Sequence, residues 1–357
     1  MSNISEKPLV FVTGASGYIG YEIVYQLLQA GYRVRGAARN AKVERLKTAF
    51  EPYVSRSQFE AVDVPDVASG DLKQYLEGVD AVIHTAAPLM GRSDVDTAFR
   101  TAVDGSLHVL EESYKLGIKR FAVTGSVASW PSSGPFGDDD WNEQTEEEAK
   151  STKDARTIYV VQKKIGEQAV IKFAREHPDT RITIFCPPYV YGPFAPGFEH
   201  IVGPEWKEQV AAGNRVISTA GLIYALLDKN SSYLIAAQPV PYVDVRDLAR
   251  AHIISLQLDA PNSSLEPLAA PRIFILSPYI PKFGEALQLI REKRPELADR
   301  LADVNKVTEV KVDHKQDPTE GLKRVEELLG IRKEEFRTYE QTLLDSVGSL
   351  IALEKFW

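Results

Sequence analysis

Several residue types and patterns are scarce in this chain. Its 357 residues include one cysteine, Cys186, which excludes an intramolecular disulfide or a multi-cysteine metal centre and accords with a reducing compartment. Positive charge is in deficit, with 42 Lys and Arg against 50 Asp and Glu, a net charge of −8. That sign opposes nonspecific attraction to phosphate backbones and anionic membranes, so nucleic acid is not an expected partner. No apolar run approaches the ~18 residues of a membrane span, and the first residues lack a basic stretch followed by an apolar one. The expected setting is cytoplasmic, with no membrane partner. The six histidines show no His-x-x-x-His or clustered-carboxylate spacing, so no metal is expected either.

What is present is ordinary globular composition, 44% hydrophobic and 26% charged, at a length suited to about two domains. Leu9–Thr13 is a β-branched and aromatic run ending at a glycine, which reads as a strand buried on both faces. In Tyr18–Ala30 the apolar positions Ile19, Ile23, Leu27 and Ala30 recur at helical spacing, and Gly31 supplies a left-handed stop. The alternation continues through strands at 32–39, 59–62, 81–85, 120–124 and 181–186 and helices at 41–50, 96–116 and 157–175. Strands separated by helices imply an α/β fold with a doubly wound parallel sheet of the Rossmann type. Beyond Pro187 the rhythm breaks into loops, helices near 205–212 and 245–258, and a short strand at 272–276. The expected division is a dinucleotide-binding domain of 1–188 with about 241–260, and a smaller C-terminal α/β lobe of 189–240 and 261–357. Asp138–Asp140 and Glu146–Glu148 read as an acidic, solvated loop.

Gly14-Ala15-Ser16-Gly17-Tyr18-Ile19-Gly20 lies where the first strand hands over to the first helix. Glycines there let the backbone turn sharply and approach a pyrophosphate, which exposed amides and the helix dipole hold. Arg39 stands at the end of the second strand, where an acidic residue would bind the ribose hydroxyl of NAD. An arginine can instead pair with a 2′-phosphate, which points to NADP(H), with Lys42 as a second cation. Asp63, at the end of the third strand, suits either the adenine amino group or a cap on the following turn.

Tyr159 and Lys163 are four apart in a helix and share a face. Chance supplies about one such pair in a chain of this composition, so its position after the fifth strand carries the weight. Carbonyl reduction requires a hydride and a proton, and a phenol of pKa ~10 serves as the acid when an ammonium stabilises its phenolate. Ser126, just past the fifth strand, would donate to the substrate oxygen, or serve only as a turn hydroxyl. His84 reads as a packed, hydrogen-bonded residue and Cys186 as inert core.

These motifs, with Asp63-Val64, His84-Thr85-Ala86-Ala87-Pro88, Thr124-Gly125-Ser126, Pro187-Pro188-Tyr189-Val190-Tyr191-Gly192-Pro193 and Tyr242–Ala249, resemble the extended short-chain dehydrogenases/reductases. The likeness covers roughly residues 8–255 and is greatest to the dihydroflavonol-reductase and yeast-type aldehyde/methylglyoxal-reductase branch. It implies a Ser126, Tyr159, Lys163 catalytic set. It also implies cofactor contacts at Gly14, Ser16, Gly17, Tyr18, Ile19, Gly20, Arg39, Lys42, Asp63, Val64, Ala86 and Ala87 beside the ribose, and Pro187, Tyr189 and Val190 along the nicotinamide. Residues 189–240 would shape a pocket for a small-molecule carbonyl, with Phe194, Phe198, Trp206, Leu222, Tyr224 and Leu226 either suiting bulky or aryl ketones or forming the core of the lobe. Asp244 and Asp247 would organise the join between lobes. Either a monomer or a homodimer is compatible.

The branch often carries Thr-Ser-Ser where this chain has Thr124-Gly125-Ser126, and Arg156-Thr157-Ile158 replaces the Asn-Trp of cinnamoyl-CoA reductases. A nucleotide-sugar epimerase or dehydratase would share the fold, but it generally has an acid in place of Arg39, and a dehydratase adds an Asp-Glu pair that is missing after Ser126. A 3β-hydroxysteroid-type dehydrogenase would share the catalytic set, whereas a non-enzymatic NADP sensor would not require it.

Overall fold

The computed structural model describes residues 7–87, 90–91, 93–202, 218–231, 233–257, 270–309 and 318–356. The expected helix near 205–212 and Trp206 lie outside them. The chain divides into two compact units, residues 1–186 with 249–273, and 187–248 with 274–357.

The first unit is built on a seven-stranded parallel sheet of β1 (Leu9–Thr13), β2 (Arg33–Ala38), β3 (Phe59–Asp63), β4 (Ala81–His84), β5 (Arg120–Thr124), β6 (Arg181–Phe185) and a last strand, Arg272–Ile273. Its order is β3-β2-β1-β4-β5-β6 and then Arg272–Ile273. The order reverses between β1 and β4, so the connections leaving their C-terminal ends run to opposite sides, the place where such sheets open a crevice. Val10, Phe11, Val12, Val82 and Ile83 are fully buried, as strands covered on both faces require. Each such side chain contributes about 1.5–3 kcal/mol.

The structure extends the strand expected at 272–276 differently. Only Arg272–Ile273 pairs, and it pairs with β6, so it closes the edge of the main sheet instead of belonging to the smaller lobe. For the same reason the returning segment is 249–273 and not 241–260.

Helix α1 (Tyr18–Gln29) ends before Gly31, whose φ of +83° ends it as anticipated. The helix Ala155–Glu176 starts two residues before the expected Thr157, because the Asp154 carboxylate accepts from the amides of Arg156 and Thr157. It lies against Val95–Lys115 at close range. A Cβ on Gly166 would sit 3.0 Å from the Ala102 carbonyl oxygen. Phe99, Ala149 and Val161 form an apolar cluster at the same contact.

The acidic stretch is not simply solvated. Glu146–Ser151 is a helix whose Thr145 and Glu148 form a capping box, and Asp138 and Asp140 are half-buried. Asp139 alone of that trio is exposed, paired with Arg175 at 2.9 Å.

The second unit contains a parallel pair, β7 (Tyr189–Tyr191) and β8 (Tyr242–Asp244), and the helix Tyr339–Leu353. Asp244 is buried and bonded to Arg246 and Thr342, while Asp247 is held by Arg337. These partners all belong to the second unit.

Candidate active site

The glycine turn follows β1 directly. Gly14 has a φ of +69°, and a Cβ there would meet Thr85 Oγ1 at 2.7 Å and Ala86 N at 3.0 Å. A Cβ on Gly20 would lie 2.3 Å from the Gly14 carbonyl oxygen, so the last glycine is demanded by the loop itself. Gly17 caps α1 with no side chain on the helix N-terminus and no acid in the first turn. Tyr18 is buried, and Ser16 and Ile19 are half-buried. A helix start with a bare glycine cap suits a pyrophosphate, because amides and dipole point at it while nothing competes.

A polar seam ties this turn to β4. Thr85 Oγ1 donates to the Thr13 carbonyl at 2.7 Å, and Thr13 Oγ1 accepts from the amides of Thr85 and Ala86, both at 3.2 Å. The Thr13 hydroxyl proton is thereby left for His84 Nδ1, 2.9 Å away. His84 is then protonated at Nε2, which faces Ser106 Oγ at 3.4 Å. Burial first, and the charge of Lys163 second, push its pKa down to about 4, so it stays neutral. His84 is thus the packed, hydrogen-bonded residue expected, and it holds the segment carrying Ala86 and Ala87.

At the far end of β2 the strand stops at Ala38, one residue before its expected end, and Arg39 opens the loop. Its side chain is exposed and has no hydrogen-bond or ion-pair partner among the described residues. Lys42 is also exposed. Asp63 Oδ1 accepts from the Asn40 amide at 3.1 Å, bracing a residue whose φ is +54°, and the Val64 amide donates to the Ala38 carbonyl at 2.9 Å. Asp63 thereby braces the loop that follows β2.

Tyr159, Lys163 and Ser126 come together past the end of β5. The Tyr159 hydroxyl donates to Ser126 Oγ over a long 3.5 Å, and Lys163 Nζ lies 5.8 Å from the Tyr159 ring centroid. Long contacts of this kind are usual before substrate binds. Apart from that ring, the Lys163 ammonium has no hydrogen-bond or ion-pair partner among the described residues, and it faces a cleft lined by His84, Ala86, Ala87, Thr124 and Glu167. Ser126 Oγ also accepts from the Ala128 amide at 3.2 Å, so it caps the turn Val127–Ser129 as well. Pro187, Tyr189 and Val190 fall in the second unit.

A family model for the NAD dependent epimerase/dehydratase family matches residues 10–265. The chain belongs to that family. Its relatives place it in the extended short-chain dehydrogenase/reductase branch that the motifs resemble. A ketoreductase of Aspergillus fumigatus is 30% identical over 281 residues, 74% of this chain and 79% of the relative. The NADPH-dependent methylglyoxal reductase of Saccharomyces cerevisiae is 25% identical over 365 residues, 97% of this chain and 98% of the relative. The solved structure of yeast methylglyoxal/isovaleraldehyde reductase complexed with NADPH shares the fold, with a TM-score of 0.72 at 23% identity, covering 98% of this chain and 100% of that one.

Two groups escape a motif reading in this family member. Thr13 and Thr85 are the hydroxyls that lock the glycine turn to β4, and nothing in their spacing announces it. Glu167 completes a Tyr159, Lys163, Glu167 series at intervals of four, so its face of the helix is readable although its partners are not. Among the described residues no cluster of three potential metal ligands occurs, and no helix is long and apolar enough to cross a membrane.

Proposed function

We propose that this chain is an NADPH-dependent carbonyl reductase that converts an aldehyde or ketone to an alcohol. The observation that carries the reading is the meeting of the Tyr159 hydroxyl, Ser126 Oγ and a half-buried, unpaired Lys163 ammonium at the end of β5. The relatives named as a ketoreductase and an NADPH-dependent methylglyoxal reductase support it.

The residues fit the cofactor. The turn Gly14–Gly20 and the open start of α1 would hold the pyrophosphate, Arg39 and Lys42 the 2′-phosphate, and Ala86, Ala87 and Lys163 the nicotinamide ribose. When bound, NADPH supplies a hydride from C4 of its nicotinamide.

The protein supplies the proton and the placement. Ser126 Oγ accepts from Ala128 and Tyr159, which leaves its own proton to donate to the substrate oxygen. Tyr159 gives its hydroxyl proton to that oxygen as negative charge develops there, and solvent returns the proton afterwards. The Lys163 ammonium lies on the same helix face as the phenol and stabilises the phenolate left behind. Bond order balances: the carbonyl carbon gains the hydride, the oxygen gains the proton, and an alcohol leaves.

The test is nicotinamide absorbance on adding NADPH and a panel of aldehydes and ketones to the purified chain. Stoichiometric oxidation with alcohol formation is expected. Binding of NADPH without turnover of any carbonyl would point to a sensor, and indifference to added NADPH would point to an epimerase.

A further inference from the structure

Behind Ser126 the core contains an ion pair that the proposed chemistry does not use. Glu167 and Arg272 are 3% and 0% exposed, and Glu167 Oε2 meets Arg272 Nε at 3.0 Å. A buried pair of this kind is weak evidence for stability, since apolar residues of similar volume often serve as well. Its hydrogen bonds point elsewhere. Glu167 Oε1 accepts from the Ser126 amide at 2.9 Å, and Oε2 accepts from Ser129 Oγ at 2.6 Å. The Ser129 amide donates to the Ser126 carbonyl oxygen at 3.1 Å. The main chain of Ser126 is therefore gripped on both its amide and its carbonyl side.

Arg272 holds that grip rigid. Its Nη2 donates to Ser129 Oγ at 2.7 Å, and its Nη1 donates to the carbonyls of Asp140, Gly137 and Asp138 at 2.6, 3.2 and 3.3 Å. The indoles of Trp130 and Trp141 sandwich the guanidinium at 4.2 and 3.8 Å. Gly125 gives an independent sign of the same arrangement. A Cβ there would stand 2.5 Å from Glu167 Oε1, so the carboxylate occupies the space that any side chain at this position would take.

We infer that Glu167 is the positioning residue for Ser126, with Arg272 fixing Glu167 and Gly125 making room for it. The inference rests on the proposed role of Ser126 as the donor to the substrate oxygen. A misplacement of about 1 Å in such a group is enough to cost on the order of 100-fold in rate.

Two charge-free pairs separate this role from mere packing. Glu167→Gln with Arg272→Met keeps an acceptor for the Ser126 amide, whereas Glu167→Met with Arg272→Met does not. Each is measured in the full chain with NADPH and the fastest carbonyl of the panel, with and without Ser126→Ala, alongside NADPH affinity and thermal midpoint. The Met pair is expected to lower kcat about 10- to 100-fold, the Gln pair several-fold less, with NADPH affinity held. In the Ser126→Ala background the difference between the pairs should vanish, because the residue through which Glu167 acts is gone. Should the Met pair fail to fold, Gly125→Ala, which presses on Oε1 without removing charge, replaces it in the same cycle. Equal losses for the two pairs, or the same loss with and without Ser126, overturn the inference while leaving the reductase reading intact. Unchanged turnover in Ser126→Ala overturns the role of Ser126 itself, and this inference with it.

Discussion

The two ends of the glycine-turn crevice are built on opposite principles. At the β4–β5 end a buried, matched network backs the site: His84 between Thr13 and Ser106, the Ser126 amide on Glu167, and Glu167 on Arg272. At the β2–β3 end Arg39 is exposed with no partner among the described residues, and the loop is ordered by the Asp63 bond to Asn40 and a few backbone bonds. Proton transfer demands atoms held to within a fraction of an ångström, which low-dielectric hydrogen-bond networks provide. Recognition of a dianionic phosphate demands charge and reach, which a solvated arginine provides without the desolvation that burial would cost.

Breaking the buried end at its acid should have the largest effect. Tyr159→Phe is expected to lower kcat about 10²- to 10⁴-fold with NADPH affinity retained, read by turnover and fluorescence titration. Near wild-type turnover in that variant would remove the proton donor from the mechanism.

His84 sharpens the contrast through pH. Its pKa falls from 6.5 unfolded to about 4 folded, so between those values the unfolded chain takes up a proton that the native one refuses. Its stabilising contribution is complete above pH 6.5 and is lost as pH falls towards 4, by about 3 kcal/mol in all. Urea midpoints of the wild type and His84→Gln, compared from pH 7 to 4, should differ in slope over that window. Parallel curves would refute the assignment.

At the open end, Arg39→Asp should weaken NADPH about 10- to 100-fold and NADH far less. Equal loss of both cofactors would deny Arg39 the phosphate. The smallest effect is expected from Asp63→Ala, about 1 kcal/mol in urea unfolding from the one hydrogen bond lost to the Asn40 amide, with little change in NADPH affinity. A large affinity loss there would instead favour an adenine contact.

The strand positions could be anticipated because apolar runs and glycine stops are local, and β1 to β6 fall within a residue or two of their expected bounds. The short return strand escapes such a reading because two residues carry no periodicity, and only pairing with β6 defines them. Asp138–Asp140 read as solvent-facing because a charge run is indistinguishable from a loop whose carbonyls wrap a buried guanidinium.

The sequence by itself determined the α/β alternation, the glycine turn and the Tyr159 and Lys163 face, since each depends on neighbours within one turn or one strand. Only the tertiary structure decided that His84 is neutral beside Thr13, that the Ser126 amide meets the Glu167 carboxylate and that Arg272 lies in the core against that same acid. Those facts concern partners 71, 41 and 105 residues apart in the chain. Burial and hydrogen-bond geometry arise from that long-range packing, and no local pattern encodes them.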